Sequence, residues 1–172
     1  MSWRVFLSRP SALSPGQRSA FRSWCSELAR RGLELRTLPR HEYVSDPWAL
    51  MRELFQGVDG VVIFGFRQVE VTDGFLCAGT DEERPAPAAL ASAWTQIEAG
   101  LAVSAGLPLL ALAECGVSEG IFDPTTWGTQ VIGHELSATP AHNALDAFVI
   151  ALELQDQCAR WRFSQFPGEL QR

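Results

Sequence analysis

The sequence contains no lysine. All 14 of its basic side chains are arginine, which excludes Schiff-base chemistry and any other reaction of a lysine amine. The absence otherwise reads as the codon bias of a GC-rich genome. Cysteine is sparse and scattered, at 25, 77, 115 and 158, with no C-x-x-C pair. The three histidines are scattered too, so no zinc signature forms. Cys25 and Cys158 fall in helical patterns and read as small core residues. No metal and no cofactor is expected. Long apolar runs are also missing: none approaches the roughly 20 residues of a membrane span. The opening MSWRVFLSRP reads as a strand, without the charged, apolar and small-residue regions of a signal peptide. The expectation is a cytoplasmic protein without a membrane partner. Excess positive charge is lacking as well. The formal net charge of −6 argues against general binding to nucleic acid or an anionic surface, which wants a basic patch. A small molecule is the expected partner.

What is present is an ordinary globular chain of 172 residues, 47% hydrophobic and 20% charged. That is enough for one well-packed domain and too little for two. The domain is read as 1–162, with 163–172 as a tail. There is no internal repeat and no low-complexity segment.

Trp3-Arg4-Val5-Phe6-Leu7 reads as a first strand. A helix from about Gln17 to Arg31 turns Phe21, Trp24, Cys25 and Leu28 to one face, and Gly32 stops it. Leu33 to Leu38 alternates and reads as a second strand near an edge. Asp46-Pro47 is a helix start, with Asp as N-cap and Pro at the first position, and that helix runs to about Gln56. Val58 to Phe66 is a continuous β-branched and aromatic run, as expected when both faces of a parallel sheet are covered. Leu107 to Ala113 is a second such run, and a weaker strand lies near Gln130 to Ile132. Pro140 opens a last helix, about His142 to Trp161, with Leu145, Phe148, Val149 and Leu152 inward. Strands alternating with helices predict an α/β three-layer sandwich, flavodoxin-like or Rossmann-like, with about five parallel strands in the order 2-1-3-4-5. From about Arg67 to Leu90 no clear element is visible, and a loop of that length suggests a lid or a subunit contact.

In an open parallel sheet, ligands bind beyond the carboxyl ends of the strands near the switch point. That rule selects Ser8, Arg9 and Pro10, then His41 and Tyr43, then Phe66, Arg67 and Gln68, then Trp94, Thr95 and Glu98. Glu114 and the loop through Gly120-Ile121-Phe122-Asp123 follow the fourth main strand. Arg9 and Arg67 are expected to flank the crevice, where two guanidiniums suit a phosphate or carboxylate. The alternative is that each pairs with a surface carboxylate.

The segment SAWTQIEAGLAVSAGLP, from Ser92 to Pro108, carries one charge, Glu98. Thr95-x-x-Glu98 fits a capping box, with Thr95 as N-cap and Glu98 reaching back to its amide. Equally, a carboxylate held ionised by the helix start and shielded by apolar neighbours suits a nucleophile or an oxocarbenium stabiliser.

A first strand followed by Ser-x-Pro, a third strand preceded by Asp-Gly, and T-x-x-E-x-G-x-A-x-x-x-G-x-P leading into the fourth strand together resemble the nucleoside 2-deoxyribosyltransferase family. TIR-type NAD-cleaving domains share the same general plan. The resemblance spans most of the first 113 residues, and its specific part is Thr95-Gln96-Ile97-Glu98-Ala99-Gly100-Leu101-Ala102 with Gly106 and Pro108. It implies that Glu98 is the nucleophile that attacks the anomeric carbon as the base departs. The family's Asp-Ser-Gly before the Thr is Ser92-Ala93-Trp94 here. Trp94, in place of a glycine near the pocket, is then placed either to stack on a base or nicotinamide ring or to block the family's usual substrate. The family's acidic residue after the third strand is replaced by Phe66-Arg67-Gln68. Arg67 favours a phosphorylated ligand, and nicotinamide, already cationic in NAD, leaves without a general acid. Asp73, Asp81 and Glu82 in the long loop are the remaining acid candidates.

The implied function is N-glycosidic bond cleavage or ribosyl transfer on a nucleotide or NAD-like substrate. Glu98 is the catalytic residue, and Ser8, Arg9, Phe66, Arg67, Gln68, Ser92, Trp94 and Thr95 are the binding residues. The alternatives are a nucleotide-binding sensor or interaction module without turnover, and a scaffold in which Glu98 only caps its helix. A homo-oligomer is compatible with the small-residue helix and the long loop.

Overall fold

GVVIFG, the apolar run before Phe66, has no polar side chain, and all six residues are buried. A strand covered on both faces must lie inside a sheet flanked by helices. The computed structural model, which describes residues 2–38, 46–86 and 88–165, places it at the centre of such a sheet. The chain opens with β1 (Trp3–Ser8), α1 (Pro15–Arg30), β2 (Leu33–Arg36), α2 (Pro47–Gln56) and β3 (Gly60–Gly65). Four short strands follow: β4 (Val69–Val71), β5 (Phe75–Leu76), β6 (Arg84–Pro85) and β7 (Ala88–Leu90). The chain continues through α3 (Ala93–Ser104), β8 (Leu109–Ala113), β9 (Val131–Glu135) and α4 (His142–Gln165).

The main sheet runs β2-β1-β3-β8-β9, and every pair is parallel. Counting only its own strands, this is the expected 2-1-3-4-5 order. The two-residue pleat sorts the core into two layers. Val5, Leu7, Val62, Phe64, Leu110 and Leu112 pack with Trp24 and Leu28 of α1 and with Leu145, Phe148 and Leu152 of α4. Phe6, Val61, Ile63, Leu109 and Ala111 pack on the other side with Met51 and Phe55 of α2 and Ala99 and Ala102 of α3. Each fully buried large side chain contributes about 1.5–3 kcal/mol.

The helix ends follow local chemistry. Ser14 and Gln17 form a reciprocal capping box, so α1 begins at Pro15, two residues earlier than its apolar stripe indicated. Gly32, at φ +77°, ends that helix in a conformation glycine adopts without strain. Asp46 caps α2 by accepting from the amides of Trp48 and Ala49 at 3.0 and 3.1 Å. The α4 helix extends to Gln165, taking in the first residues of the segment read as a tail. Cys158, expected in the core, is exposed, whereas Cys25 is half-buried.

The segment from Arg67 to Leu90 is not the featureless loop its sequence suggested. β4 pairs antiparallel with β7, and inside that pair β5 pairs antiparallel with β6. The result is a nested two-stranded arm. It escaped the sequence reading because its strands are two or three residues long and mostly exposed, which leaves no apolar run to detect.

Candidate functional site

The strand order reverses between β1 and β3, which makes their carboxyl ends the switch point of the sheet. Ser8 ends β1 opposite Ile63 of β3. The pleat turns it to the α2–α3 side with Phe6, and it is 1% exposed. On α3 the buried residues are Thr95, Glu98, Ala99 and Ala102, the i, i+3, i+4, i+7 spacing of a core-facing stripe. Glu98 therefore points at the sheet, 7% exposed. There its Oε2 accepts a hydrogen bond from the Ser8 hydroxyl.

This geometry removes the capping-box reading. The N-cap of α3 is Ser92, whose hydroxyl accepts from the Trp94 amide at 3.3 Å. Thr95 lies inside the first turn, buried, and its hydroxyl donates to the Ser92 carbonyl. The cap thus lies three residues before Thr95, and Thr95 and Glu98 both fall on the core-facing stripe of the helix. The first turn of α3 still presents its amide ends toward the mouth of the crevice, where they favour negative charge.

Trp94 stands one turn before Glu98, so the two side chains neighbour each other along the helix. Its ring is 37% exposed and lies 5.9 Å from that of Trp48, tilted 36°. The sequence reading missed Trp48. The available signal was positional: Trp48 and Trp94 are each the second residue of a helix that begins beyond a strand's carboxyl end.

The arginines sit elsewhere. The Arg9 guanidinium lies 5.1 Å from the Phe21 ring centre and donates to the Pro10 carbonyl at 2.8 Å. It is on the α1 side of the sheet. Arg67 approaches Glu70 at 3.7 Å and Glu114 at 3.8 Å. Its amide donates to Glu114 at 2.7 Å, and Gln17 of α1 donates to the same carboxylate at 2.8 Å. Successive residues of a strand face opposite ways, so the chain just beyond Ser8 leads Arg9 away from Glu98. Phe66 is buried and stacks on Phe64. The Gln68 amide donates to the Leu90 carbonyl at 2.9 Å, and its side chain donates to Ala12 and Arg67 carbonyls. The structure thus brings together Ser8, Ser92, Trp94, Thr95 and Glu98, and gathers Arg67, Gln17 and Glu114 into a separate cluster. Asp73, Asp81 and Glu82 are exposed on the arm. His41 and Tyr43 lie outside the described residues.

No family model and no curated protein matches the chain. Among solved structures it is similar to a conserved protein from Enterococcus faecalis V583. The identity is 12%, over 90% of this chain and 88% of that one, with a TM-score of 0.43. A likeness this distant carries no functional information.

The loop after β8 closes the site from the other flank. Gln96 donates to the Glu119 carbonyl at 2.9 Å and accepts from the Ile121 amide at 3.0 Å. This fixes Phe122, buried against Gly65 at the end of β3. Among the described residues, no helix is long and apolar enough to cross a membrane.

Proposed function

We propose that the protein cleaves or transfers at an N-glycosidic bond, acting on a nucleotide or NAD-like substrate with Glu98 as nucleophile or oxocarbenium stabiliser. One observation carries the reading. The single charge of α3 is buried at the switch point and bonded to Ser8, while Ser92 holds the cap of its helix. A desolvated carboxylate is costly to keep, which supports a chemical role over a purely structural one.

In this reading the Glu98 carboxylate faces the anomeric carbon. The bond from carbon to base nitrogen breaks, and its electron pair leaves with the base. For a nicotinamide ring that pair neutralises the cationic nitrogen, so no proton is required. Where a covalent glycosyl ester forms, water or a second base then attacks the same carbon and frees the carboxylate; water supplies the new hydroxyl and releases its other proton to solvent. Ser8 fixes the carboxylate, while Ser92 and Thr95 fix the start of its helix. Trp94, with Trp48 beside it, offers an aromatic wall for the base. Arg67 reaches a phosphate only by leaving Glu70 and Glu114, and Arg9 only by leaving the face of Phe21.

The test is incubation of the purified protein with NAD, nucleoside monophosphates and deoxynucleosides, following free base by chromatography, with Glu98→Gln in parallel. Release by the wild type and loss of at least a hundredfold in the variant are expected, with an unchanged circular dichroism spectrum. The departures at Ser92 and Arg67 from the pattern the sequence resembles support a second reading, a binding module without turnover. Thermal stabilisation by one of these compounds with no base released would favour it over the first.

A further inference from the structure

The register of the edge strand sets Arg4 beside Glu34 and Phe6 beside Arg36. Paired residues share a face, so all four turn to the α2 side of the sheet. There α2 packs Met51 and Phe55 into the core with Phe6, Val61 and Ile63. Beside it lies a groove of about 320 Å³. The helix wall of this groove is a second stripe of α2. Leu50, Glu53, Leu54 and Gly57 follow the i, i+3, i+4, i+7 spacing of one face. The strands supply Arg4 and Arg36, and Leu38 and Val58 complete an otherwise apolar lining. Leu38, Leu50 and Leu54 are only half-buried.

We infer that this groove binds a small amphipathic carboxylate, its unbranched chain along the leucines and its carboxylate on Arg4 and Arg36. Charge selects the head group. In a chain of net charge −6, the groove carries two guanidiniums against one carboxylate. Arg4 Nε lies 3.9 Å from Asp59, which already accepts the Arg4 amide at 2.7 Å. The terminal nitrogens of Arg4 bond to no described residue. Arg36 pairs with Glu34 where both side chains are exposed, and such pairs are weakly held. A ligand carboxylate takes paired hydrogen bonds from a guanidinium fork. Glu53, on the facing wall, favours a single negative charge over the double charge of a phosphate. Volume selects the tail. At roughly 30 Å³ for a water-sized group, the groove holds about ten non-hydrogen atoms, the size of octanoate. No residue of α3 lines it, so the inference is independent of what Glu98 does.

Titration calorimetry on the full chain with octanoate should show one site per chain. Octanol, octylammonium and octyl phosphate should each bind at least tenfold more weakly. From butyrate upward, affinity should rise by up to about fourfold per methylene, and stop rising once the chain outgrows the groove. Arg4→Gln and Arg36→Gln, both at exposed positions, should each weaken octanoate about tenfold with unchanged melting temperature. Glu53→Gln should tighten it. No octanoate binding would overturn the inference, whether another part of the chain or a second copy covers the groove or the arginines keep their carboxylates. So would octanol binding as tightly as octanoate, or octanoate binding that neither arginine variant weakens.

Discussion

Ser8 and Glu98 lie 90 residues apart in sequence, and each is buried in the company of the other. Replacing the hydroxyl leaves a shielded carboxylate short of a donor, so Ser8→Ala is expected to cost about 1–3 kcal/mol. Ser8→Thr, which keeps the donor, should cost less; urea unfolding of the three proteins measures the difference. The carboxylate was legible in the sequence as a lone charge in an apolar helix, but its partner was not. A serine at a strand end acquires that meaning only when the sheet brings α3 over β1. Cys25 offers a second test at this scale. Burial pushes its thiol up to about 11, against an ordinary 9.0, with nearby Arg9 acting in the opposite direction. A thiol raised in this way holds its proton, and only the thiolate reacts. Folded protein at pH 8 should therefore yield three fast equivalents with a thiol reagent, from the exposed Cys77, Cys115 and Cys158, and the fourth only on unfolding. The same shift means that folding binds the Cys25 proton more tightly, so stability should fall as pH rises from about 9 toward 11. Four fast equivalents in the folded state would contradict the burial of Cys25.

Helix starts separate what a sequence states from what packing decides. Asp46-Pro47 marked α2 correctly, because the cap and the first residue are adjacent and their chemistry is local. Thr95-x-x-Glu98 fits the capping pattern equally well, yet Ser92 holds the cap. Both serine and threonine can accept from a helix amide, and the choice between them lay in which register buries Ala99 and Ala102. Ser92→Ala should then cost about 0.5–2 kcal/mol as a lost N-cap, read as a drop in melting temperature. Thr95→Ser, which retains the hydroxyl inside the first turn, should cost less. An unchanged melting temperature in Ser92→Ala would show that Ser92 does not hold the cap. At the other flank, β3 ends in Gly65, and a Cβ there would lie 2.6 Å from the Phe122 ring. Gly65→Ala is expected to destabilise by about 1–3 kcal/mol through overpacking. Phe122→Leu should recover part of that in the double variant but not alone. Additive losses would show that the two residues do not touch.

Over the whole molecule, the two layers of core and the exposed arm should differ in how firmly they are held. The five parallel strands were legible because burial on both faces leaves continuous apolar runs, and the pleat then fixes which helix each residue meets. The arm left no such trace. Its strands pair chiefly with one another, and it is tied to the sheet region at its base, by the bridge from Ala89 to Val117 and by the bonds of Arg67 to Glu114 and of Gln68 to Ala12. Phe75 is 59% and Val69 50% exposed, so little apolar burial opposes its opening. The cost of opening a segment follows its buried contacts rather than its hydrogen bonds alone. Hydrogen exchange on the native protein should therefore show the amides of β5 and β6 exchanging at low free energy, those of β4 and β7 at an intermediate value, and those of β1, β3 and β8 only at the free energy of global unfolding. A nucleotide that slows exchange in β5 and β6 would make the arm a cover for the crevice beyond β1 and β3. Protection in β5 equal to that in β3 without any ligand would mean that the arm is part of the cooperative fold, held by contacts stronger than its exposure implies.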